Sequence, residues 1–514
     1  MRKFLALLAL TLAILACNFP TTTVGEPTVF VEAPQVEDGT PIGAQEPAPT
    51  LPPTRDPNIP ISSPTPDAPH GQPTLRSDYI EYAVQPSDIL TSIADRFGVS
   101  LEELIAANNI IDPNSLEVGQ ILQIPPQTPV SIGPDFKIIP DSELVNGPFA
   151  LFFDVAGFID SQPGYLKQHR EDVDGVSLNG AQIVQRVATE YSVNPKLLLA
   201  VLEYQSGWLS DPNPRSNTLQ FSMGVLDAWR AGLYLQLSWA ADNLNKGYYD
   251  WKSGLTAGWH TSEGTFIPVA STINAGTAGV QYMFSLLYPE NQWRDIVSDG
   301  GINALYRQYF GYPFDLAVEP LVPDDIVQPA MQLPFEVGVP WVYSGGPHGG
   351  WGNSAWAALD FAPRGEMLGC NESTDWAVAA ADGLIVRSES GAVVEDLDGD
   401  GYEQTGWTIL YMHMASNGRV QVGTRVSAGD RIGHPSCEGG FATASHLHLA
   451  RRYNGEWIAA SGSNAFNSAT GSSPFIMDGW VSTSSGILYD GVMQKDGTSV
   501  EACECRDPDH MLQR

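Results

Sequence analysis

Basic residues are scarce in this chain. Lys and Arg total 26 against 59 Asp and Glu in 514 residues, a formal net charge of −33. So acidic a chain repels phosphate, which excludes nucleic acid as a partner and leaves uncharged glycans and peptides open. Cysteine is rare as well, at Cys17, Cys370, Cys437, Cys503 and Cys505. No long hydrophobic run follows Ala16, so nothing later reads as a membrane-spanning helix. Glycine-rich phosphate loops are missing from any useful context and no serine sits in a nucleophile elbow, which argues against nucleotide and serine-hydrolase chemistry. Histidine is sparse too, nine in all, yet His348, His413, His446 and His448 fall in short segments of the last third, together with Asp360.

What is present begins at the N-terminus. Arg2 and Lys3 precede an apolar run from Phe4 to Ala16, which suits a signal peptide over residues 1–16 and is short for a membrane span. Ala16 before Cys17 resembles the lipobox of bacterial lipoproteins, which implies a lipidated Cys17 anchoring the chain in the membrane; two acyl chains hold far better than one. Ordinary cleavage nearby, with Cys17 a passenger, is the plainer alternative. Residues 18–76 hold 14 prolines, and seven acidic residues against Arg55 and Arg76. Residues 17–76 therefore read as a stiff, disordered spacer. The expectation is an exported protein, lipid-anchored to the bacterial cell membrane and facing the cell wall.

Folded sequence starts near residue 77. Asp88 to Phe97 has the apolar spacing of a short helix and Leu101 to Asn108 that of a second, with Ser100 as N-cap and Glu103 completing a capping box. Leu116 to Pro125 reads as a closing strand, giving a βααβ unit over 77–126. The segments Tyr82-Ala83-Val84-Gln85-Pro86-Ser87-Asp88, Ile93-Ala94, Leu104-Ile105-Ala106-Ala107-Asn108 and Val118-Gly119-Gln120-Ile121-Leu122 resemble a LysM domain. That family binds N-acetylglucosamine polymers such as peptidoglycan and chitin. Ser87 stands where it commonly has glycine.

Residues 135–320 read as mainly helical and rich in Trp and Tyr. Pro195 suits a helix start, where its missing donor costs nothing, and Ile273-Asn274-Ala275-Gly276 opens another helix. These blocks, with the run from Tyr191 to Trp208, resemble the lysozyme-like fold of lytic transglycosylases, in which a Glu-Ser pair delivers the acid to the glycosidic oxygen. Here the matching pair is Gln205-Ser206, and glutamine does not donate a proton as a carboxylic acid does. Glu203, two residues away, lies toward the other side of a helix. The domain is expected to be non-catalytic, with Trp208, Trp229 and Trp239 either stacking on sugars or filling a core.

Over 321–480 the texture turns to β. Runs such as Gly383-Leu384-Ile385-Val386 and Trp407-Thr408-Ile409-Leu410-Tyr411-Met412 show period two between glycine turns, which suits an antiparallel core. On a strand, His446 and His448 project to one face. Histidine and carboxylate together make a small nitrogen–oxygen metal cage, and further imidazoles beside it point to chemistry rather than scaffolding. Gly345-Gly346-Pro347-His348, Leu359-Asp360-Phe361, Ala380-Ala381-Asp382-Gly383, Tyr411-Met412-His413, Gly429-Asp430-Arg431-Ile432-Gly433 and Ser445-His446-Leu447-His448 occur in the order found in M23 peptidases. The segment resembles that LytM or lysostaphin-like family of zinc endopeptidases, which cut peptidoglycan peptides. The resemblance implies Zn2+ held by His348, Asp360 and His448, with His413 and His446 as catalytic histidines. The family usually leaves three residues between the first histidine and the aspartate. Here eleven intervene, and Trp356 occupies the place where that spacing would put histidine. Either the added stretch loops out with His348 still at the metal, or zinc binding is lost.

Asp396, Asp398 and Asp400 resemble the opening of a calcium loop, but its twelfth position is Trp407, so a Ca2+ site and a solvated acidic hairpin both remain open. The four later cysteines admit three full pairings. Cys370 with Cys437 is favoured because both lie in the expected catalytic segment, and Cys503 with Cys505 would close a tight loop. Residues 481–514 are expected to form a C-terminal extension. The expected chain is multidomain: a small βααβ LysM module, a mainly α lysozyme-like domain and a mainly antiparallel β M23 peptidase domain, working as a monomer on peptidoglycan glycan and peptide. Its expected reaction is zinc-dependent hydrolysis of stem or cross-link peptides, with LysM raising the local substrate concentration. The alternatives are a non-catalytic wall-binding scaffold that activates another hydrolase, or an atypical glycosidase in the middle domain.

Overall fold

The computed structural model describes residues 76–514 apart from 86–87, 114, 127–130, 324, 365–368, 462–472 and 506. The expected signal peptide, the spacer up to residue 75 with Cys17, and Ser87 lie outside the described residues. No helix among the described residues is long and apolar enough to cross a membrane.

The first folded unit consists of β1 (Ile80–Ala83), α1 (Leu90–Phe97), α2 (Leu101–Asn108) and β2 (Ile121–Ile124). β1 and β2 pair antiparallel with Ile80 opposite Ile124, and Leu90, Ile93, Val99, Leu104, Leu122 and Ile124 fill the space under the helices. The capping box at the head of α2 is present. Glu103 N–H donates to Ser100 Oγ at 3.1 Å, and Ser100 N–H donates to the Glu103 carboxylate at 3.0 Å, so two orphan donors are satisfied reciprocally. At the other end Asn108 acts as a substitute strand for β2. Its side chain accepts from Gln123 N–H at 2.7 Å and donates to Gln123 O at 2.8 Å.

The middle region is helix-rich, built from α3 (Gly180–Tyr191), α4 (Pro195–Ser206), α5 (Leu233–Lys252), α6 (Ala275–Ser285) and α7 (Ile302–Phe310). Pro195 takes the first helical position of α4 behind the Asn194 cap. Residues from Pro195 to Glu203 are all buried, which makes α4 the central helix and explains why it shows no polar stripe. α5 and α6 meet through glycine: a Cβ on Gly247 would lie 2.9 Å from the Gly279 Cα. Trp208 is core, with its indole N–H donating to Thr218 Oγ1 at 3.2 Å, whereas Trp229 is 90% exposed. Glu203 is buried and fully employed, accepting from Leu209 N–H (2.7 Å), Ser210 N–H (3.2 Å) and Tyr309 OH (3.1 Å). It therefore secures the turn that follows α4. Gln205 Oε1 accepts from Tyr288 OH at 2.6 Å.

The last region contains β3 (Trp341–His348), β4 (Ala358–Pro363), β5 (Gly383–Glu389), β6 (Ala392–Asp396), β7 (Trp407–Met412), β8 (Arg425–Val426), β9 (Leu447–Tyr453), β10 (Glu456–Trp457), β11 (Trp480–Ser484), β12 (Gly491–Lys495), β13 (Thr498–Glu501) and β14 (Met511–Leu512). Its main sheet runs β8-β5-β6-β7-β9-β4-β3-β14, with β10 folded back on β9 and every pair antiparallel. Period two divides the side chains cleanly. Leu359, Phe361, Val393, Ile409, Tyr411, Leu447 and Leu449 face the region's own core. Ala358, Ala392, Val394, Leu410, Met412 and Ala450 face the other way and belong to the core of the helical domain. This is why β4, β6 and β7 are buried along their whole length, where an antiparallel sheet commonly leaves one face wet.

Residues 481–514, the expected C-terminal extension, contribute strands that pair with those before them. β11 begins at Trp480, inside a four-stranded meander of Ile476–Met477, β11, β12 and β13, and β14 then returns to pair with β3. The physical gain is cover for the edge of β3, which would otherwise present unpaired backbone groups. Cys370 pairs with Cys437 and Cys503 with Cys505.

Glu395 on β6 is fully buried, with Tyr411 OH donating to its carboxylate at 2.5 Å. Burial pushes its pKa from 4.5 up to about 8. A raised folded pKa means that the native state holds a proton the unfolded chain has already lost. Stability from this group is present below about pH 4.5 and falls as pH climbs toward 8, by up to about 1.4 kcal/mol per pH unit, then levels off. Glu395→Gln is expected to flatten that fall. Melting temperatures of wild type and variant, measured from pH 5 to 8.5, should show the variant's relative stability rising with pH; parallel curves would contradict it.

Candidate metal centre

Four neighbouring strands bring the distant histidines together. In the sheet order β7-β9-β4-β3, His448 on β9 lies directly opposite Asp360 on β4 and also opposite Met412 on β7. His413 follows Met412 immediately, and His348 ends β3. Adjacent strands sit about 4.8 Å apart, so side chains from three or four of them reach one point. The eleven-residue interval after His348 is absorbed by a loop between β3 and β4. Irregular register between Tyr343 and His348 then brings Gly345 opposite Asp360. Glycine is required there, because a Cβ would fall 2.8 Å from Asp360 Oδ2.

His348, Asp360 and His448 converge. His348 Nε2 lies 3.0 Å from His448 Nδ1 and 3.3 Å from Asp360 Oδ1, which is 3.2 Å from His448 Nδ1. The second nitrogen of each ring is committed elsewhere: His348 Nδ1 donates to Gly346 O at 2.8 Å and His448 Nε2 donates to Gly350 O at 2.9 Å. A carbonyl only accepts, so these contacts fix the tautomers and turn both lone pairs toward the shared point. Asp360 Oδ1 is buried there without a well-formed hydrogen bond. Two inward lone pairs and an orphaned carboxylate oxygen make a donor set that fits Zn2+, with bonds of about 2.0–2.2 Å and a fourth position left open. Electrostatics differ among the three: burial opposes charge on His348, but the Asp360 carboxylate beside it outweighs burial and raises its pKa. Burial opposes the carboxylate charge, yet the His348 and His446 rings hold Asp360 well below the usual carboxylate range, and burial lowers His448, so it is a neutral ligand at pH 7. The triad His348/Asp360/His448 is a zinc-binding site.

His413 and His446 stand beside it. Their ring centres are 4.5 Å apart, His413 is 6.0 Å from the His448 ring, and His446 Nε2 is 3.6 Å from Asp360 Oδ2. His446 Nδ1 donates to Ala444 O at 2.8 Å and His413 Nδ1 to Glu438 O at 3.2 Å, which fixes the Nδ1–H tautomer of each ring. Burial pushes His413 down to about 3. His413 adopts φ +64°, which a bulky residue rarely accepts without outside restraint. Ser436 supplies it, its N–H and hydroxyl both donating to His413 O at 2.6 and 2.9 Å, next to the Cys370–Cys437 bridge. His434, by contrast, packs with its ring tilted against Trp376 and is not among the clustered ligands.

Tyr489 was not visible as a site residue in the sequence. Its ring stacks on His348 at 4.3 Å between centres, and burial raises its hydroxyl pKa, so the phenol stays protonated. It lies in the turn before β12, in a stretch with no local motif, and only tertiary structure delivers it. Asp396, Asp398 and Asp400 also cluster, with oxygens within 4.8 Å of one another, a set that fits a second cation. The loop's own N–H groups already serve Asp396, from Asp398, Gly399 and Gly401.

Three segments match known families: residues 82–125 the LysM domain, 137–321 the N-terminal domain of LasA, and 363–460 peptidase family M23. Protease LasA of Pseudomonas aeruginosa is 27% identical over 298 residues, covering 53% of this chain and 66% of its own length, so the chain spans just under two thirds of that relative. The N-acetylmuramoyl-L-alanine amidase XlyA of Bacillus subtilis is 54% identical over 41 residues, 8% of this chain and 14% of that one. Among solved structures, the M23 metalloprotease pseudoalterin from the deep sea is 25% identical and covers 34% of this chain and 96% of that one, with a TM-score of 0.26. The chain thus joins a LysM domain and a LasA_N-like middle domain to an M23-like domain, and a His-Asp-His triad fit for zinc is completed by His348 and Asp360 just before the matched segment.

Proposed function

We propose that this protein is an exported, zinc-dependent endopeptidase that hydrolyses the stem or cross-link peptides of peptidoglycan. The observation that carries the reading is the convergence of His348, Asp360 and His448 beside His413 and His446. A zinc ion held by the triad would supply Lewis-acid polarisation of the scissile carbonyl and make water acidic enough to attack near neutral pH. The chain's own residues do the rest. His446, with Nδ1 tied to a carbonyl, offers Nε2 to take the proton of the attacking water and return it to the leaving amine, while His413, kept neutral by burial, accepts a hydrogen bond from that water at Nε2 and orients it. Once protonated, the His446 ring donates to the tetrahedral oxyanion, and the protonated Tyr489 phenol, whose ring stacks on His348, is proposed as a further donor for it.

The LysM module supports wall targeting by holding the catalytic domain near glycan and so raising its effective concentration. Lipidation at Cys17, facing the wall, completes this reading, as does a monomeric state. We read the lysozyme-like middle domain as non-catalytic, because Glu203 is spent on Leu209, Ser210 and Tyr309, and Gln205 on Tyr288.

The test is purified peptidoglycan incubated with residues 77–514 and zinc, and fragments read by mass spectrometry. New peptide termini, lost in His446→Ala, are the expected result and locate the bond cut. Wall binding without cleavage, across several wall types, would instead favour the scaffold.

A further inference from the structure

The stretch between His348 and Asp360 does more than take up slack. Gly350 O accepts from His448 Nε2 at 2.9 Å, so this loop decides which nitrogen of a zinc ligand faces the metal. What holds the loop lies in another domain. Asn353 donates twice to the carboxylate of Asp242 on α5, from its backbone N–H at 2.6 Å and its side-chain Nδ2 at 2.7 Å. Gly352, at φ +58°, has no room for a Cβ, which would meet Asp242 Oδ1 at 2.1 Å. The Trp351 ring packs edge-on against Tyr191, the last residue of α3, at 6.2 Å.

A second anchor closes on the same glycine. A Cβ on Gly350 would lie 2.5 Å from Trp457 Cε3, so the indole forms one wall of the carbonyl's seat. Trp457 is itself docked on the helices, its backbone N–H donating to Tyr249 OH at 2.9 Å and its indole N–H to Tyr191 O at 3.3 Å. The neighbouring Glu456 accepts from Tyr248 OH at 3.2 Å and pairs with Lys252. Gly350 O is thereby held between a loop clamped by Asp242 and a tryptophan clamped by Tyr191 and Tyr249.

We infer that the LasA_N-like domain is a positioning element of the zinc centre, and that Asp242 is its key positioning residue, acting through Asn353 and Gly350 on His448. A ligand whose partner carbonyl drifts is free to rotate and to present the wrong tautomer. Loss of such outer partners weakens metal binding by about 10–100-fold. Asp242 sits one step further out, so the low end applies. The inference rests on the triad as the zinc site and not on the identity of the substrate.

The test is zinc affinity of the full chain, measured by competition with a chromophoric chelator, alongside melting temperature. Asp242→Ala is expected to weaken zinc binding about ten-fold. Asp242→Asn should stay near wild type, because its amide still accepts from Asn353 N–H and can pair with a flipped Asn353 side chain. Asn353→Ala, which keeps the backbone bond, should fall between them and serves if Asp242→Ala does not fold. Zinc affinity within two-fold of wild type in Asp242→Ala, or in Asn353→Ala if that is the variant available, would overturn the inference even if the melting temperature drops. Weakened zinc binding in a protein that cleaves no wall would sink the peptidase reading and leave this one standing.

Discussion

His446→Ala should retain one zinc per chain and yet cleave wall peptides at least about 100-fold more slowly, whereas His448→Ala should lose both metal and activity. The two histidines are two residues apart, so the contrast isolates role from location. His448 Nδ1 lies 3.0 and 3.2 Å from the other two ligand atoms, and its removal leaves two donors, too few for a tight catalytic zinc site. His446 Nε2 reaches only 3.6 Å from Asp360 Oδ2 and is placed for proton transfer, a contribution of about 10²–10⁴ in rate. Metal content by atomic emission and a fragment-release assay check both halves. A zinc-loaded His446→Ala protein working within three-fold of wild type would remove that histidine from the mechanism. Stoichiometric zinc in His448→Ala would mean a different ligand set.

Trp457→Ala is expected to cost about 3–5 kcal/mol, the range for emptying a large buried aromatic site. The residue is 2% exposed and lies in the core shared by the helices and the sheet, so the cavity opens between domains and not within one. The variant should lower the unfolding temperature of the helical and peptidase regions together, seen by calorimetry as one shifted transition. Two separate transitions, with only one displaced, would show that the shared core does not couple them.

Legibility in the sequence followed the range of the interactions. The capping box at Ser100 and Glu103, the proline start at Pro195 and the His446-x-His448 pair are local, and each takes the form its spacing implies. The triad was legible only through ordered segments, since nothing between Gly349 and Ala357 reveals how a loop of that length returns to the metal. The second face of the sheet was harder still. Ala358, Ala392 and Ala450 alternate with larger residues, and alanine does not say whether water or a helix covers it. The pairing of the strands after residue 480 is not legible in the sequence, because two- to five-residue runs carry little periodic signal. Asp242, Tyr191 and Tyr489 act across more than 100 positions of sequence, apart from any motif, and only folding assembles them.

The chain between the helical and peptidase regions, residues 322–323 and 325–330, is exposed or half-buried, while the surfaces it joins share one apolar core. Cutting this connector severs a covalent link that the interface does not rely on, so a nicked molecule stays a two-chain complex. The converse constrains engineering. A peptidase domain transplanted onto a different targeting module would carry an uncovered alanine-rich sheet face into solvent. Such a graft must bring its helical partner along or have that face rebuilt with polar side chains.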